Sequence, residues 1–185
     1  MDADSNRSKA RPRCSVYIAS SLDGFIARPD GGLDWLSAFE QSGEDYGYKA
    51  FFGSVEALVI GRKTYDVVLD FEKWPYEDKR CIVVTHVPPS AKHGETFYSG
   101  PPDALVDRLG VEGVRRVYVD GGALIRSFLV ADLVDDVTLS VIPVLLGEGI
   151  PLFGGVERRL KLASSRSFPS GLVQLCYNVE RAPRA

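Results

Sequence analysis

The chain is poor in the residues that staple small or metal-dependent folds. Its 185 residues include three cysteines, two histidines and one methionine. Cys14, Cys81 and Cys176 are odd in number, widely spaced and set in apolar segments, which excludes a disulfide framework or a metal knuckle and reads them as small buried hydrophobes. With only His86 and His93 available and no cluster of carboxylates, no metal site is expected. An excess of positive charge is also missing: 22 Lys and Arg face 25 Asp and Glu, for a net charge of −3. No overall field would therefore gather nucleic acid or an anionic membrane surface, and the aromatics sit at core-type positions rather than on a basic face. No apolar run approaches the roughly 18 residues that span a bilayer; the stretch 141–146 is short and broken by Pro143. The first residues are polar throughout and lack the apolar core of a signal peptide, so the expected location is the cytoplasm.

What remains is an ordinary globular composition, 45% apolar and 25% charged, in a chain of single-domain length. Residues 1–12 form a mixed-charge, proline-containing segment expected to be a disordered tail, and residues 13–185 one domain. Runs rich in β-branched residues at 16–19, 57–60, 81–85, 117–119 and 137–141 alternate with segments able to hold helices, which argues for a mainly parallel α/β sheet. The end differs. Residues 160–168, a Pro169-Ser170-Gly171 turn and residues 172–179 read as an antiparallel hairpin at the C-terminal edge.

Two strand-to-helix junctions can carry chemistry. Gly61-Arg62-Lys63-Thr64 follows the strand at 57–60 and starts a helix, where free N–H groups and the helix dipole favour an anion. Gly121-Gly122-Ala123 follows the strand at 116–120 in the same manner and opens a helix with Leu124, Ile125, Phe128 and Leu129 on one side. Each could equally be a tight turn that lets its helix pack; two such ends on one sheet suit a pyrophosphate-containing ligand. Neither matches the G-x-G-x-x-G fingerprint. Thr85-His86 closes the strand at 81–85, as a loop pair or as the neighbour of an adenosine phosphate.

The candidate acid is Asp45. A helix over residues 44–55, with Tyr48, Phe51, Phe52 and Val55 on one stripe, would point its carboxylate along that stripe and raise its pKa, as proton relay requires; the alternative is a first-turn acid serving the helix dipole. A further helix, residues 101–109, looks structural. The opening strand runs through Asp23-Gly24, which is also ordinary turn chemistry, into a glycine- and proline-rich loop. Within that loop Trp35 is an apolar residue of the kind an active-site lid carries.

Together, Ala19-Ser-Ser-Leu-Asp23-Gly, Asp45 followed by Gly61-Arg-Lys-Thr64-Tyr, Ile82-Val-Val-Thr85, Val119-Asp-Gly121-Gly122 and Pro143-Val-Leu-Leu-Gly147-Glu-Gly149-Ile-Pro-Leu-Phe153 resemble the dihydrofolate-reductase-like proteins grouped with the reductase domain of riboflavin-biosynthesis deaminase-reductases. The resemblance spans about residues 14–181. It implies a three-layer sandwich whose mainly parallel sheet has an antiparallel C-terminal edge strand, and NADPH-dependent reduction of a small pterin-like or pyrimidine-like heterocycle. By the same analogy Gly61, Arg62, Lys63 and Thr64 would grip the cofactor's phosphates, Gly121, Gly122 and Ala123 its pyrophosphate, and Thr85 with His86 its adenosine end. Ala19 and Ile26 would border the nicotinamide. Asp45 would bind the heterocycle and assist its protonation, with Tyr17, Asp23, Trp35 and Tyr48 lining the substrate side. Two alternatives accompany this reading: 5-amino-6-(5-phosphoribosylamino)uracil reductase itself, and a non-catalytic dinucleotide-binding protein. The riboflavin-pathway reductases usually carry a lysine where Tyr17 stands, and dihydrofolate reductases an arginine where His86 stands. Pairing into a homodimer through the C-terminal strands also fits the group.

Overall fold

The structure is a computed structural model, and it describes residues 11–40 and 43–181. In chain order the elements are β1 (Arg13–Ser21), β2 (Phe25–Ala27), a 3-10 turn (Asp34–Leu36), α1 (Ser37–Glu40), α2 (Tyr48–Ser54), β3 (Ala57–Gly61), α3 (Arg62–Leu69), β4 (Arg80–Val84), β5 (Thr96–Tyr98), α4 (Pro102–Val111), β6 (Arg116–Asp120), α5 (Gly122–Val130), β7 (Val134–Ile142), β8 (Ile150–Pro151), β9 (Leu160–Ser167) and β10 (Val173–Val179).

Eight strands form one sheet in the order β5-β4-β3-β6-β1-β7-β10-β9. The first six of these are mutually parallel, β10 runs antiparallel to β7, and β9 antiparallel to β10. The expected hairpin is present, with β10 paired inside the sheet and β9 forming its edge. The short edge strand β5 and the small β2–β8 sheet went unread in the sequence, since two or three residues carry no period.

Because parallel strands are covered on both faces, their middles are apolar throughout, and alternate residues feed two cores. On one face Cys14, Val16, Ala57, Val59, Val117 and Val119 pack under α4 and α5, through Leu105, Leu109, Ile125 and Phe128. On the other, Leu58, Ile60 and Tyr118 pack under α3 and α2, joined by Trp74 and Tyr76 from the segment before β4. The result is the three-layer sandwich. Cys14 and Cys81 are buried, as read, while Cys176 is half-buried.

The tail boundary needs correction. Residues 1–10 lie outside the described residues, but Arg11 and Pro12 are docked: Arg11 donates to Asp135 Oδ1 at 2.6 Å and to the Leu133 carbonyl at 2.7 Å, and Pro12 is buried. Residues 182–185 of the expected domain lie outside the described residues as well.

Candidate active site

The strand order reverses around β6, which returns between β3 and β1 after β4 and β5 have extended the sheet outward. Carboxyl ends of parallel strands on either side of such a reversal form a crevice. Gly61 ends β3 and Gly121 follows β6, so both glycine junctions open there. They abut: a β-carbon on Gly121 would lie 2.6 Å from Thr64 Oγ1 and 3.5 Å from the Gly61 nitrogen, and Gly121 has φ +102 besides. Only glycine fits, which leaves bare backbone at the helix start. Gly122 is capped from outside by Ile26, whose Cδ1 would lie 2.5 Å from a β-carbon there. The strand carrying Ile26 pairs with β8, which Arg126 of α5 holds by donating to the Pro151 carbonyl at 2.8 Å.

Around this crevice the expected residues fall into distinct groups. Gly61, Thr64, Gly121, Gly122, Ala123 and Ile26 are brought together, Ala123 being the exposed residue of the first turn of α5. Ala19 lies further along β1, against the cluster around Trp35. Arg62 spans α3 and the loop after β4, donating to both Asp66 oxygens at 2.8 and 3.0 Å and to the Val87 carbonyl at 2.9 Å. Thr85 caps the same loop by accepting the Val87 N–H at 3.2 Å; Lys63 and His86 are exposed.

Asp45 differs from expectation in its electrostatics. The helix starts at Tyr48 rather than residue 44, because Tyr46 (φ 52) and Gly47 (φ 86) take left-handed conformations that a helix cannot contain. Asp45 sits before that turn and accepts the N–H groups of Gly47 at 3.1 Å and Lys49 at 3.2 Å. Those two bonds hold its carboxyl below the ordinary value, so the expected raised pKa is reversed.

Asp23 and Trp35 also take other roles. The Asp23 carboxylate is spent on Ser21 Oγ and on the N–H groups of Leu146 and Gly147, at 2.6, 3.2 and 2.7 Å, bracing the loop after β7 against the end of β1. Trp35 is not an exposed lid residue: it is 8% exposed, packed with Ile142, Phe168 and Leu172, and its loop is closed by the Arg28–Asp34 pair. A tryptophan amid polar neighbours in sequence found its apolar partners from distant strands.

Tyr17 and Tyr48 belong to one aromatic cluster on the α2 face of the sheet. Tyr17 lies 5.4 Å from Tyr48 and 5.0 Å from Phe51, Tyr48 stacks on Phe52, and Phe51 meets Tyr118 edge-on at 5.0 Å. The residue missed in the sequence is Asp120, at the end of β6 on the face of Tyr118. Burial pushes its carboxyl up to about 6, against one opposing bond from the Gly121 N–H at 2.8 Å. Its charge in turn raises the hydroxyl pKa of Tyr48, Tyr76 and Tyr118, after burial the chief cause for each. The signal was an acid two residues beyond a tyrosine on one strand, directly before Gly-Gly. Two glycine junctions, an aromatic cluster and a carboxyl group raised by burial thus stand near one another at this end of the sheet.

This architecture is the dihydrofolate-reductase type of α/β sandwich; dihydrofolate reductase from Enterococcus faecalis, complexed with NADP(H), superposes with a TM-score of 0.66 over 90% of this chain and 96% of that one, at 16% identity. The chain belongs to the RibD C-terminal domain family, which matches residues 12–174. It is 41% identical over 167 residues to the uncharacterized protein YwjB of Bacillus subtilis, covering 88% of this chain and 95% of that protein. The crystal structure of a putative riboflavin biosynthesis protein from Shewanella sp. PV-4 superposes with a TM-score of 0.85 at 34% identity, covering 91% and 99% of the two chains.

Proposed function

We propose that the protein is a nicotinamide-dependent reductase, with NADPH as cofactor, that delivers hydride to a small pyrimidine-type heterocycle in the cytoplasm. The observation that carries this reading is the meeting of the two glycine junctions beside Asp120. Gly61, Thr64, Gly121 and Gly122 would let the cofactor's phosphates approach the backbone closely at the two helix starts, with Arg62 at the adenosine side. The bound nicotinamide supplies the hydride. This chain's residues position and polarise: Tyr48, Phe51 and Tyr17 face the planar ring and exclude water, while Asp120 holds a proton that it can give to a ring nitrogen as the adjacent carbon is reduced. Asp45 stays ionised and fixes the start of α2.

Family membership favours the pyrimidine over the pterin reading, and within it the riboflavin-pathway phosphoribosylamino pyrimidinone. Tyr17, standing where those reductases usually have lysine, is the feature that argues for a different substituent. The test is nicotinamide oxidation by purified protein with NADPH or NADH and either the phosphoribosylamino pyrimidinone, its dephosphorylated form or dihydropterins. Turnover with a pyrimidine is expected. Cofactor binding with no turnover on any of these would leave the non-catalytic binder, and no binding of either nicotinamide at sub-millimolar concentration would end the reductase reading. A homodimer belongs to the same proposal, supported by β9, which is exposed along its whole length with Leu160 and Leu162 uncovered; light scattering measures it.

A further inference from the structure

Side chains from β1 and β10 converge on the backbone just before α2, at a strained residue. Tyr46 has φ 52, and among the described residues only Asp132 shares a left-handed φ without being glycine. A bulky side chain keeps that conformation only where its surroundings over-determine it, and such strain gathers at sites that need a fixed geometry. The turn has a visible product. Tyr46 and Gly47 redirect the chain so that α2 starts at Tyr48, with the Gly47 carbonyl accepting the Phe51 N–H at 3.1 Å.

What holds Tyr46 comes from distant parts of the chain. Its carbonyl accepts the Tyr17 hydroxyl of β1 at 2.9 Å and the half-buried Gln174 side-chain amide of β10 at 3.0 Å. A carbonyl oxygen has two lone pairs, so this acceptor is filled. The same amide nitrogen lies 3.1 Å from the Tyr17 hydroxyl and 3.1 Å from Ser140 Oγ of β7, which ties the two donors to each other and to the strand between them. The Tyr46 ring is anchored separately, edge-on to Phe168 at 4.9 Å with its hydroxyl 3.3 Å from Ser170 Oγ. The Tyr17 hydroxyl thus spends its proton on a backbone carbonyl. Burial, the largest cause, holds its pKa above the ordinary tyrosine value, so it remains a donor at neutral pH.

The consequence reaches α2 through the Tyr17 ring, which lies 5.4 Å from Tyr48 and 5.0 Å from Phe51. One residue therefore fixes the helix twice: its hydroxyl sets the entry turn, and its ring meets the side chains that the turn delivers. We propose that Tyr17 and Gln174 are positioning residues whose donors clamp the Tyr46 carbonyl, and that this clamp sets Tyr48 and Phe51 at the spacing from Tyr17 at which these rings receive the heterocycle. This role rests on the reductase reading and adds what holds its aromatic wall in place. It also gives the Tyr17 hydroxyl to the protein's own backbone, leaving proton transfer to Asp120.

Tyr17→Phe deletes one donor and keeps the ring; Gln174→Met deletes the other at similar length. Wild type and both variants are compared by amide exchange over residues 46–54, by calorimetric Kd for the phosphoribosylamino pyrimidinone, and by kcat and KM for nicotinamide oxidation. Loss of a hydrogen bond of ordinary net worth corresponds to about three- to tenfold. Each variant should exchange faster over that segment by about this factor. Heterocycle Kd and KM should rise by about the same factor, with kcat falling by less than about twofold and cofactor KM unchanged. The decline in rate above about pH 6 should persist in both. Unchanged exchange overturns the proposal, and so does faster exchange with an unchanged heterocycle Kd, which leaves the clamp a structural tie alone. A kcat loss at constant KM in Tyr17→Phe overturns it too, since that gives the hydroxyl a chemical role. If one variant does not fold, the other carries the same comparison. Heterocycle binding without any nicotinamide oxidation would end the reductase reading, while exchange and Kd still decide the clamp. A wild-type protein that binds no pyrimidinone ends both.

Discussion

Replacing Asp120 by asparagine should make the protein more stable and less active at once. Burial lifts this carboxyl from 3.8 to about 6. Between those values the folded protein keeps a proton that the unfolded chain has released, so stability falls as pH rises through the window, and the whole penalty is present above about pH 6.5. At about 1.4 kcal/mol per pH unit the displacement is worth about 3 kcal/mol. Asp120 keeps part of its surface in contact with solvent, so about 1–3 kcal/mol is the expectation after screening. Asp120→Asn removes the ionisation and should raise Tm at pH 7.5 by several degrees, given about 2–4 °C per kcal/mol for a chain of this size. Below about pH 3.5, where the carboxyl is mostly protonated in the folded and the unfolded chain alike, the gain should vanish. Reduction of a pyrimidine substrate should fall by about 10²–10⁴-fold, the usual worth of a positioned acid. The wild-type rate should decline on the alkaline side of about pH 6, and the variant should lack that limb. Thermal unfolding across pH and nicotinamide oxidation read the two arms separately. A variant less stable than wild type at pH 7.5, or one that keeps both rate and alkaline limb, would refute the reasoning.

Three further outcomes follow from named contacts. Gly121→Ala forces an alanine to φ +102 and sets its methyl 2.6 Å from Thr64 Oγ1, so it should cost about 2–4 kcal/mol and weaken NADPH binding; denaturant titration and cofactor calorimetry check both. Glu95 is buried, which pushes its carboxyl up, but bonds from the Tyr65 hydroxyl and the Lys92 and His93 N–H groups outweigh burial and hold it at about 2. Its stabilisation is therefore complete above about pH 4.5 and lost as pH falls toward about 2. Glu95→Gln should cost about 1–3 kcal/mol at pH 7, with the difference from wild type shrinking in acid melts. Asp45→Asn removes a charged acceptor from the start of α2 and should lower Tm slightly, yet keep the alkaline limb of the rate profile; loss of that limb would return the acid's role to Asp45.

The alternation of apolar runs placed β1, β3, β4, β6 and β7, because a buried strand needs an uninterrupted apolar middle wherever it sits, and the turn at Pro169-Ser170-Gly171 placed β9 and β10 as a hairpin. The glycine junctions were legible for the same local reason: Gly61 and Gly121 follow strands and precede helical stripes. Asp45 was read as a helical acid since the stripe of Tyr48, Phe51 and Phe52 extrapolates backward through it. The left-handed turn at Tyr46 and Gly47 breaks that extrapolation, and a turn of this kind leaves little mark in residue type when only one of its two positions is glycine. Trp35 was read as a lid-type residue of a glycine- and proline-rich loop because its partners Ile142, Phe168 and Leu172 come from more than one hundred residues away.

The residue pattern alone determined where the long strands of the sheet would run and where glycines would open the helices after β3 and β6; these are consequences of local periodicity and chemistry. Tertiary structure alone decided which carboxyl group is poised to hold a proton. Asp45 and Asp120 differ little as words in a sequence. One is exposed to two backbone donors and stays charged, while the other is enclosed by β6 and its tyrosines, and the free energy of taking a charge out of water depends on everything packed around it rather than on its neighbours in the chain.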